Sequence, residues 1–174
     1  KKSKIFNISF TMLSNYELID RIGEGASSYV YKAKSAKTSE TLALKESKKS
    51  MALEKELKIL SNLNHKGIVK LLDFFQKESK LTLVLEYGND FFNYIEENGG
   101  ITEKEAKMRF KQIFEAVQYL HKNKIIHRDI KLENIILTEK EGLKLIDFDL
   151  SCEVIPEDTN SKKNILSNKD VQIL

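Results

Sequence analysis

The sequence is poor in the residues that define several protein classes. Its 174 residues include one cysteine, one proline and no tryptophan. Because a disulfide needs two cysteines and structural zinc sites cluster Cys and His, the single Cys152 excludes an internal disulfide and argues against structural zinc. The lack of disulfide chemistry favours a reducing, cytoplasmic location.

Long apolar runs and a strong charge bias are also lacking. No stretch approaches the roughly 20 apolar residues that a membrane-spanning helix needs, so we expect no membrane segment. The 29 basic and 26 acidic residues leave a formal charge of +3 spread along the chain, which gives no support for a nucleic-acid partner. With 41% apolar and 32% charged residues, the composition is that of an ordinary globular domain.

The first residues alternate between apolar and polar side chains. Phe6, Ile8, Phe10 and Met12 share one side of an extended chain, and the polar residues between them share the other. This period of two is typical of a half-buried strand. We therefore predict an extra edge strand within an N-terminal extension, residues 1–15.

Two short stretches carry the most chemical information. Residues 127–134 read His-Arg-Asp-Ile-Lys-Leu-Glu-Asn, and residues 147–149 read Asp-Phe-Asp. An isolated loop Asp is usually a solvated carboxylate, but eight consecutive residues in this order argue against that interpretation. The two stretches resemble the catalytic loop and the metal-binding motif of eukaryotic protein kinases.

The resemblance implies a role for each polar residue of these stretches. Asp129 would accept the proton of the substrate hydroxyl, Lys131 would steady the phosphate, and Asn134 and Asp147 would hold Mg²⁺. Lys131 is typical of serine/threonine kinases, and the loop is most similar to those of the calmodulin-dependent and AMP-activated groups. The implied function is ATP-dependent transfer of a phosphate to a protein Ser or Thr, with ATP and Mg²⁺ as cofactors.

Residues 23–30, Gly-Glu-Gly-Ala-Ser-Ser-Tyr-Val, resemble the glycine-rich loop that covers the phosphates. Ser28 stands where the family has its third glycine. Taken alone, Gly23 and Gly25 suit an ordinary hairpin turn equally well. Ala43-Leu44-Lys45 favours the nucleotide interpretation, because it resembles the strand whose lysine contacts the α- and β-phosphates and pairs with a helix glutamate.

Two glutamates compete for the pairing with Lys45. Glu56 precedes Leu57 in a pattern that resembles the family helix, and we favour it. Glu54 stays open as the alternative, because the connection from Lys45 is shorter than is usual in the family.

The resemblance also predicts a hinge at the end of a strand. Leu85 would be the gatekeeper, and the backbone of Glu86 and Gly88 would hold adenine. Asn89 or Asp90 would reach the ribose. An exposed turn carboxylate is the alternative for Asp90.

Apolar side chains complete the expected site. By resemblance, Val30, Ala43 and Ile136 would surround adenine. A second column would couple two lobes and consists of Leu60, Leu71, His127 and Phe148. Plain packing explains these residues as well, and both interpretations can hold.

The resemblance implies an α+β, two-lobed fold. Residues 16–86 would form a β-rich lobe with one helix, and residues 87–152 a partial, mainly helical lobe. Thr102 and Glu105 form a capping box at the start of a long helix. The apolar face that we predict for this helix consists of Phe110, Ile113, Phe114, Val117 and Leu120.

Residues 153–174 are polar, and we expect a flexible tail in place of most of the activation segment. Ser151, just before this stretch, and Thr159, Ser161 and Ser167 within it offer hydroxyls for phosphorylation. The sequence carries no Ala-Pro-Glu motif, so the resemblance is to a C-terminally truncated kinase. We therefore expect apolar residues of the long helix to lack their usual cover, and a protein partner to supply it.

Asp149 stands where the family has glycine. If the backbone there needs a positive φ, a non-glycine residue costs about 1–2 kcal/mol. The alternative function is a non-catalytic, nucleotide-binding scaffold or a degenerate kinase fragment. The presence of Lys45, Asp129, Asn134 and Asp147 argues against that alternative.

Overall fold

The structure, a computed structural model, describes residues 15–25, 28–48 and 51–154. The strand predicted within residues 1–15 lies outside these ranges, except for Asn15. The predicted tail lies outside them beyond Val154, and so do three of the four candidate phosphorylation sites.

The first half of the chain forms one antiparallel sheet of five strands in the order β1-β2-β3-β5-β4. The strands are β1 (Tyr16–Glu24), β2 (Ser28–Ser35), β3 (Thr41–Lys48), β4 (Leu71–Lys77) and β5 (Lys80–Glu86). Alternate residues of β3 point to opposite faces, as a strand requires. Leu42 and Leu44 pack in one apolar cluster, whereas Ala43 packs against the other.

Among the described residues of this half, one helix, α1 (Met51–Ser61), packs on the sheet. Leu53, Ile59 and Leu60 are buried there, which is the amphipathic pattern expected of a helix that covers a sheet. Glu56 lies on the same buried side, so the helix carries one carboxylate into the core.

The second half combines helices with short strands. It contains β6 (Asn89–Asp90), α2 (Phe91–Glu97), α3 (Glu103–Lys122), β7 (Ile125–Ile126), a 3₁₀ helix (Leu132–Asn134), β8 (Ile135–Thr138), β9 (Gly142–Leu145) and β10 (Cys152–Glu153). Strands β6, β8 and β9 form one small sheet, and β7 pairs with β10. None of the helices that the structure describes is long and apolar enough to span a bilayer.

Helix α3 is capped as the sequence predicts, but its apolar face is only partly covered. The Thr102 hydroxyl accepts a hydrogen bond from the Glu105 N–H at 3.2 Å. Ile113 and Leu120 are buried, together with Ala116, which was not predicted. Phe114 is 70% exposed and Met108 is 64% exposed, so no described residue covers that side of the helix.

The two halves share one core. The main apolar cluster joins Leu53 and Leu83 of the sheet half to Leu145 and Phe148 of the other half. The backbone of Leu145 bonds to the segment after α1, accepting from the Val69 N–H at 2.9 Å and donating to the Gly67 carbonyl at 2.9 Å. The end of β9 and Phe148 in the segment that follows it are therefore held against the sheet and α1.

Candidate active site

Strand β3 and helix α1 bring Lys45 and Glu56 together in the core. Lys45 is 6% exposed and Glu56 is fully buried. The Lys45 Nζ lies 2.6 Å from Glu56 Oε2, and Glu56 Oε1 accepts the Phe148 N–H at 3.2 Å. A buried charge needs a partner of opposite sign, and each residue supplies it for the other. Glu54, the alternative partner, lies on the exposed side of α1.

Two further carboxylates reach the same ammonium group. Asp147 Oδ1 lies 2.9 Å from the Lys45 Nζ, and Asp149 Oδ1 lies 3.0 Å from it. Oxygen atoms of Glu56, Asp147 and Asp149 all lie within 4.8 Å of one another. Lys45 thus sits at the centre of three carboxylates. The contact with Asp149 was not predicted from the sequence.

The charged groups of this cluster shift one another's pKa values. Burial raises the pKa of Glu56 to about 7, although Lys45 acts to lower it. Burial also acts to raise the pKa of Asp149, but the hydrogen bond with Glu56 and the charge of Lys45 outweigh it and lower that pKa. Burial acts to lower the pKa of Lys45, but the nearby carboxylates outweigh burial, and the pKa of Lys45 is raised. Lys45 is therefore firmly cationic.

The 3₁₀ helix folds the catalytic-loop residues onto one another. Asp129 Oδ2 accepts hydrogen bonds from Lys131 Nζ at 2.8 Å and from Asn134 Nδ2 at 2.7 Å. Asn134 Nδ2 also donates to the Asp129 carbonyl at 2.9 Å. The hydrogen bond from Lys131 lowers the pKa of Asp129. The carboxylate is therefore ionised near neutral pH and oriented from two sides.

His127 ties this loop to the Asp-Phe-Asp segment. It is 1% exposed, and its ring lies edge-on to Phe148 with 4.7 Å between centroids. The Asp129 N–H donates to Nδ1 at 3.3 Å, so Nε2 carries the hydrogen and donates to the Ile146 carbonyl at 3.0 Å. Burial lowers the pKa of His127, which favours this neutral form.

Backbone strain lies at positions that the sequence did not identify. Arg128 has φ 68° and Asp147 has φ 63°, values in the left-handed region that cost non-glycine residues about 1–2 kcal/mol. Asp149 is not among the positive-φ residues, so the penalty considered for it does not arise. Arg128 Nε donates to the Leu150 carbonyl at 2.6 Å and thereby links the two strained segments. Strain of this kind concentrates at functional sites.

Comparison with known proteins assigns this arrangement to a family. The family described as protein kinase domain matches residues 16–169. The chain belongs to the protein kinase family. This membership confirms the α+β, two-lobed fold predicted from the motifs.

The curated relatives are named kinases of several organisms. NUAK family SNF1-like kinase 2 of Homo sapiens is 36% identical over 146 residues, which cover 78% of this chain and 23% of the relative. Carbon catabolite-derepressing protein kinase of Saccharomyces cerevisiae is 38% identical over 148 residues, covering 80% and 23%. The probable serine/threonine-protein kinase KIN1 homolog of Enterocytozoon bieneusi is 35% identical over 158 residues, covering 86% and 27%. The chain spans about a quarter of the length of these relatives.

The residues expected around a nucleotide lie on β2, β3 and β8. Val30 lies opposite Lys45 in the register of β2 and β3, and Val30 and Ala43 are half-buried. Ile136 of β8 is 9% exposed. Ser28 is buried, and its carbonyl accepts the Gly25 N–H at 2.8 Å.

The glycine-rich loop is described only in part. Gly23 lies opposite Val30 in the pairing of β1 with β2, and a Cβ at Gly23 would lie 3.3 Å from the Val30 Cβ. Residues 26 and 27 lie outside the part of the chain that the structure describes. The described flanks therefore form an antiparallel pair of strands, and Val30 of β2 also pairs with Lys45 of β3.

The predicted hinge packs closely on β8. A Cβ at Gly88 would lie 2.9 Å from the Leu137 carbonyl oxygen and 3.0 Å from Ile136 Cδ1, so the chain approaches β8 there as only glycine allows. The Glu86 N–H donates to the Lys70 carbonyl at 3.1 Å. Asp90 caps α2, because its Oδ1 accepts the Asn93 N–H at 3.0 Å.

Ser151, a candidate phosphorylation site, is buried in the structure. It is fully buried, and its hydroxyl donates to the His127 carbonyl at 3.2 Å. A kinase acting on this hydroxyl would first have to displace the segment. Phosphorylation of Ser151 stays a prediction, and it requires that this segment move away from His127.

Lys144 is a buried hinge contact that sequence reasoning missed. Its side chain is 2% exposed, and its Nζ lies 2.8 Å from Glu86 Oε1 and also bonds to Glu141. Glu86 Oε1 additionally accepts the Lys70 N–H at 2.6 Å. In the sequence, the sign of this contact was a lysine within the otherwise apolar run of β9. This contact joins β9 of the second lobe to the end of β5.

We expect Glu86→Gln to lower the free energy of unfolding by about 1–3 kcal/mol, because it leaves a buried ammonium with weaker acceptors. Glu141→Gln is the matched control. Glu141 is 52% exposed, so its loss should cost less than about 1 kcal/mol. Urea denaturation of the two variants measures the difference. Equal losses of unfolding free energy in the two variants would show that Glu86 stabilises the fold no more than Glu141 does.

Asn134 and Asp147 have the chemistry of a magnesium site. Hard cations prefer carboxylate and amide oxygens. The Asn134 amide nitrogen bonds to Asp129, which leaves the amide oxygen as the atom for a cation. The Ile146 N–H donates to the Asn134 carbonyl at 3.0 Å and so holds the two ligand-bearing segments side by side. These residues fit the group that the family implies.

Proposed function

We propose that this kinase domain transfers the γ-phosphate of Mg-ATP to a Ser or Thr hydroxyl of a protein. One observation carries the proposal. Lys45 Nζ bonds to Glu56 at 2.6 Å and to Asp147 at 2.9 Å, although Asp147 is 102 residues away in sequence. This arrangement places a fixed positive charge and a metal-ligand carboxylate side by side, as phosphoryl transfer requires.

The local contacts support each proposed role. Asp129 accepts the proton of the substrate hydroxyl, and its two hydrogen-bond donors aim the carboxylate. The Lys131 side chain is 48% exposed, so it can reach a phosphate while it bonds to Asp129. Asn134 and Asp147 would hold magnesium. When bound, Mg²⁺ neutralises charge on the phosphate oxygens.

The nucleotide would lie with its adenine among Val30, Ala43 and Ile136. At the hinge, the Glu86 N–H already donates to the Lys70 carbonyl. The Glu86 carbonyl oxygen would therefore make the contact with adenine. The backbone of Gly88 would supply the second contact. Because Asp90 caps α2, we regard its predicted contact with the ribose as secondary.

The class of acceptor is inferred from the loop and the relatives. Lys131 and a relative named serine/threonine-protein kinase both support a protein Ser or Thr as acceptor.

The lone Cys152 supports a cytoplasmic location. We also propose that a protein surface covers the exposed side of α3 around Met108 and Phe114.

Thermal melting with and without Mg-ATP tests the nucleotide site. A ligand at about one hundred times its Kd adds about 2.7 kcal/mol of apparent stability. We expect Mg-ATP to raise Tm, and the shift to shrink strongly in Asp147→Asn. A matched variant, Asp73→Asn on β4, should keep the full shift.

The result of melting decides which assay follows. A shift that depends on Mg²⁺ and Asp147 supports an assembled site, and transfer to a generic Ser/Thr peptide then separates a kinase from a nucleotide-binding scaffold. A cooperatively melting wild-type sample with no shift would contradict the proposed site.

A further inference from the structure

The ammonium group of Lys45 has as many acceptors as it has hydrogens. Glu56 at 2.6 Å, Asp147 at 2.9 Å and Asp149 at 3.0 Å each lie within hydrogen-bonding distance of Nζ. An ammonium has three N–H bonds and no acceptor capacity. A phosphate oxygen can therefore reach Lys45 only by replacing one of the three carboxylates.

The three carboxylates differ in how they face solvent. The Glu56 side chain is 1% exposed, whereas those of Asp147 and Asp149 are 39% and 31% exposed. Glu56 also accepts the Phe148 N–H, which fixes it behind Lys45. The open side of the ammonium group, from which a ligand would approach, is thus occupied by Asp147 and Asp149.

Asp149 is the carboxylate that a nucleotide can displace at least cost. Glu56 is held in the core, and Asp147 is needed for the metal under the proposed function. Asp149 has φ outside the left-handed region and a partly exposed side chain, so it can turn away without backbone strain, with the loss of its hydrogen bonds to Lys45 and Glu56.

We propose that Asp149 is a positioning residue that competes with nucleotide phosphate for Lys45. It holds the ammonium in place before binding and yields its hydrogen bond when a phosphate arrives. This inference rests on the proposed function. We expect the competition to be clearest for a nucleotide without metal, because Lys45 is then the cation left to bind its phosphate oxygens.

The first test measures the affinity of ADP with EDTA by calorimetry. Asp149→Asn removes the charge and keeps the shape and an acceptor oxygen. We expect it to bind metal-free ADP about three- to tenfold more tightly than wild type, the range of a partly exposed charged hydrogen bond. Asp73→Asn removes one charge on β4 and should leave the affinity unchanged.

A second background shows whether Asp149 acts through Lys45. In Lys45→Met there is no ammonium for which to compete, so adding Asp149→Asn should change ADP affinity by less than about twofold. The same gain in both backgrounds would mean that Asp149 repels phosphate directly, and would overturn the positioning role. Asp149→Ser serves as a second uncharged variant if Asp149→Asn does not fold.

Failure of this inference can be told from failure of the proposed function. If wild type binds ADP and Asp149→Asn binds it equally or more weakly, only the inference is wrong. If neither binds ADP with or without Mg²⁺, the proposed function is wrong and the inference falls with it. Binding by Asp149→Asn alone would support both.

Discussion

Replacing Asp129 with Asn is expected to slow phosphoryl transfer by about 100- to 10,000-fold, the usual contribution of a positioned general base. Asn has nearly the same shape and retains an oxygen to accept from Lys131 and Asn134, which now hold Asp129 at 2.8 and 2.7 Å. It cannot take the hydroxyl proton. The measurement is the initial rate of phosphate transfer from Mg-ATP to a Ser/Thr peptide.

The control for this variant lies in the same loop. Glu133→Gln changes an exposed carboxylate of the 3₁₀ helix, and transfer should continue at the wild-type rate. Nucleotide affinity should be the same in both variants, because Asp129 bonds within its own loop. A wild-type rate for Asp129→Asn would remove Asp129 from the role of base.

Lys45→Met should be the most destabilising of the variants considered for the site. It removes the cation that lies 2.6 Å from the fully buried Glu56. Breaking a buried ion pair on one side typically costs about 3–5 kcal/mol, because the remaining charge is uncompensated. The free energy of unfolding from urea titrations near pH 8 measures the loss.

The unfolding free energy lost in Lys45→Met should be larger at high pH than at low pH. Burial already raises the pKa of Glu56 from 4.5 to about 7, and removing Lys45 takes away an effect that lowers it. The folded state of Lys45→Met therefore binds a proton that the unfolded state releases above pH 4.5. Its stability falls as pH rises from that value through the folded pKa, so the loss is smaller at pH 5 than at pH 8.

A double variant checks the cause. Lys45→Met with Glu56→Gln leaves no buried carboxylate at that position and should regain much of the stability lost in Lys45→Met. It should also lose most of the added pH dependence. Additive losses from the two single changes would contradict a direct Lys45–Glu56 pair.

The contacts among the residues predicted to form the catalytic loop are local in sequence. Asp129, Lys131 and Asn134 lie within six residues, and a single 3₁₀ turn brings their side chains into contact. The N-cap of α3 was predictable for the same reason, because Thr102 bonds only three residues ahead. Interactions over one turn depend on backbone geometry that nearby residues dictate.

Contacts between distant segments were decided by packing alone. The rotation of α1 on the sheet placed Glu56 inward and Glu54 outward, which the short connection after β3 had left open. Packing also left Phe114 exposed on α3. A helix has several apolar residues near one face, and only the neighbouring elements select which of them are covered.

The least predictable feature was the charge cluster itself. Asp149 reaches Lys45 across 104 residues of sequence, and Lys144 reaches Glu86 from a different strand. Neither pairing follows a sequence period. Each exists because the folded core brings a buried cation close to carboxylates, and a buried cation is stable only with such partners.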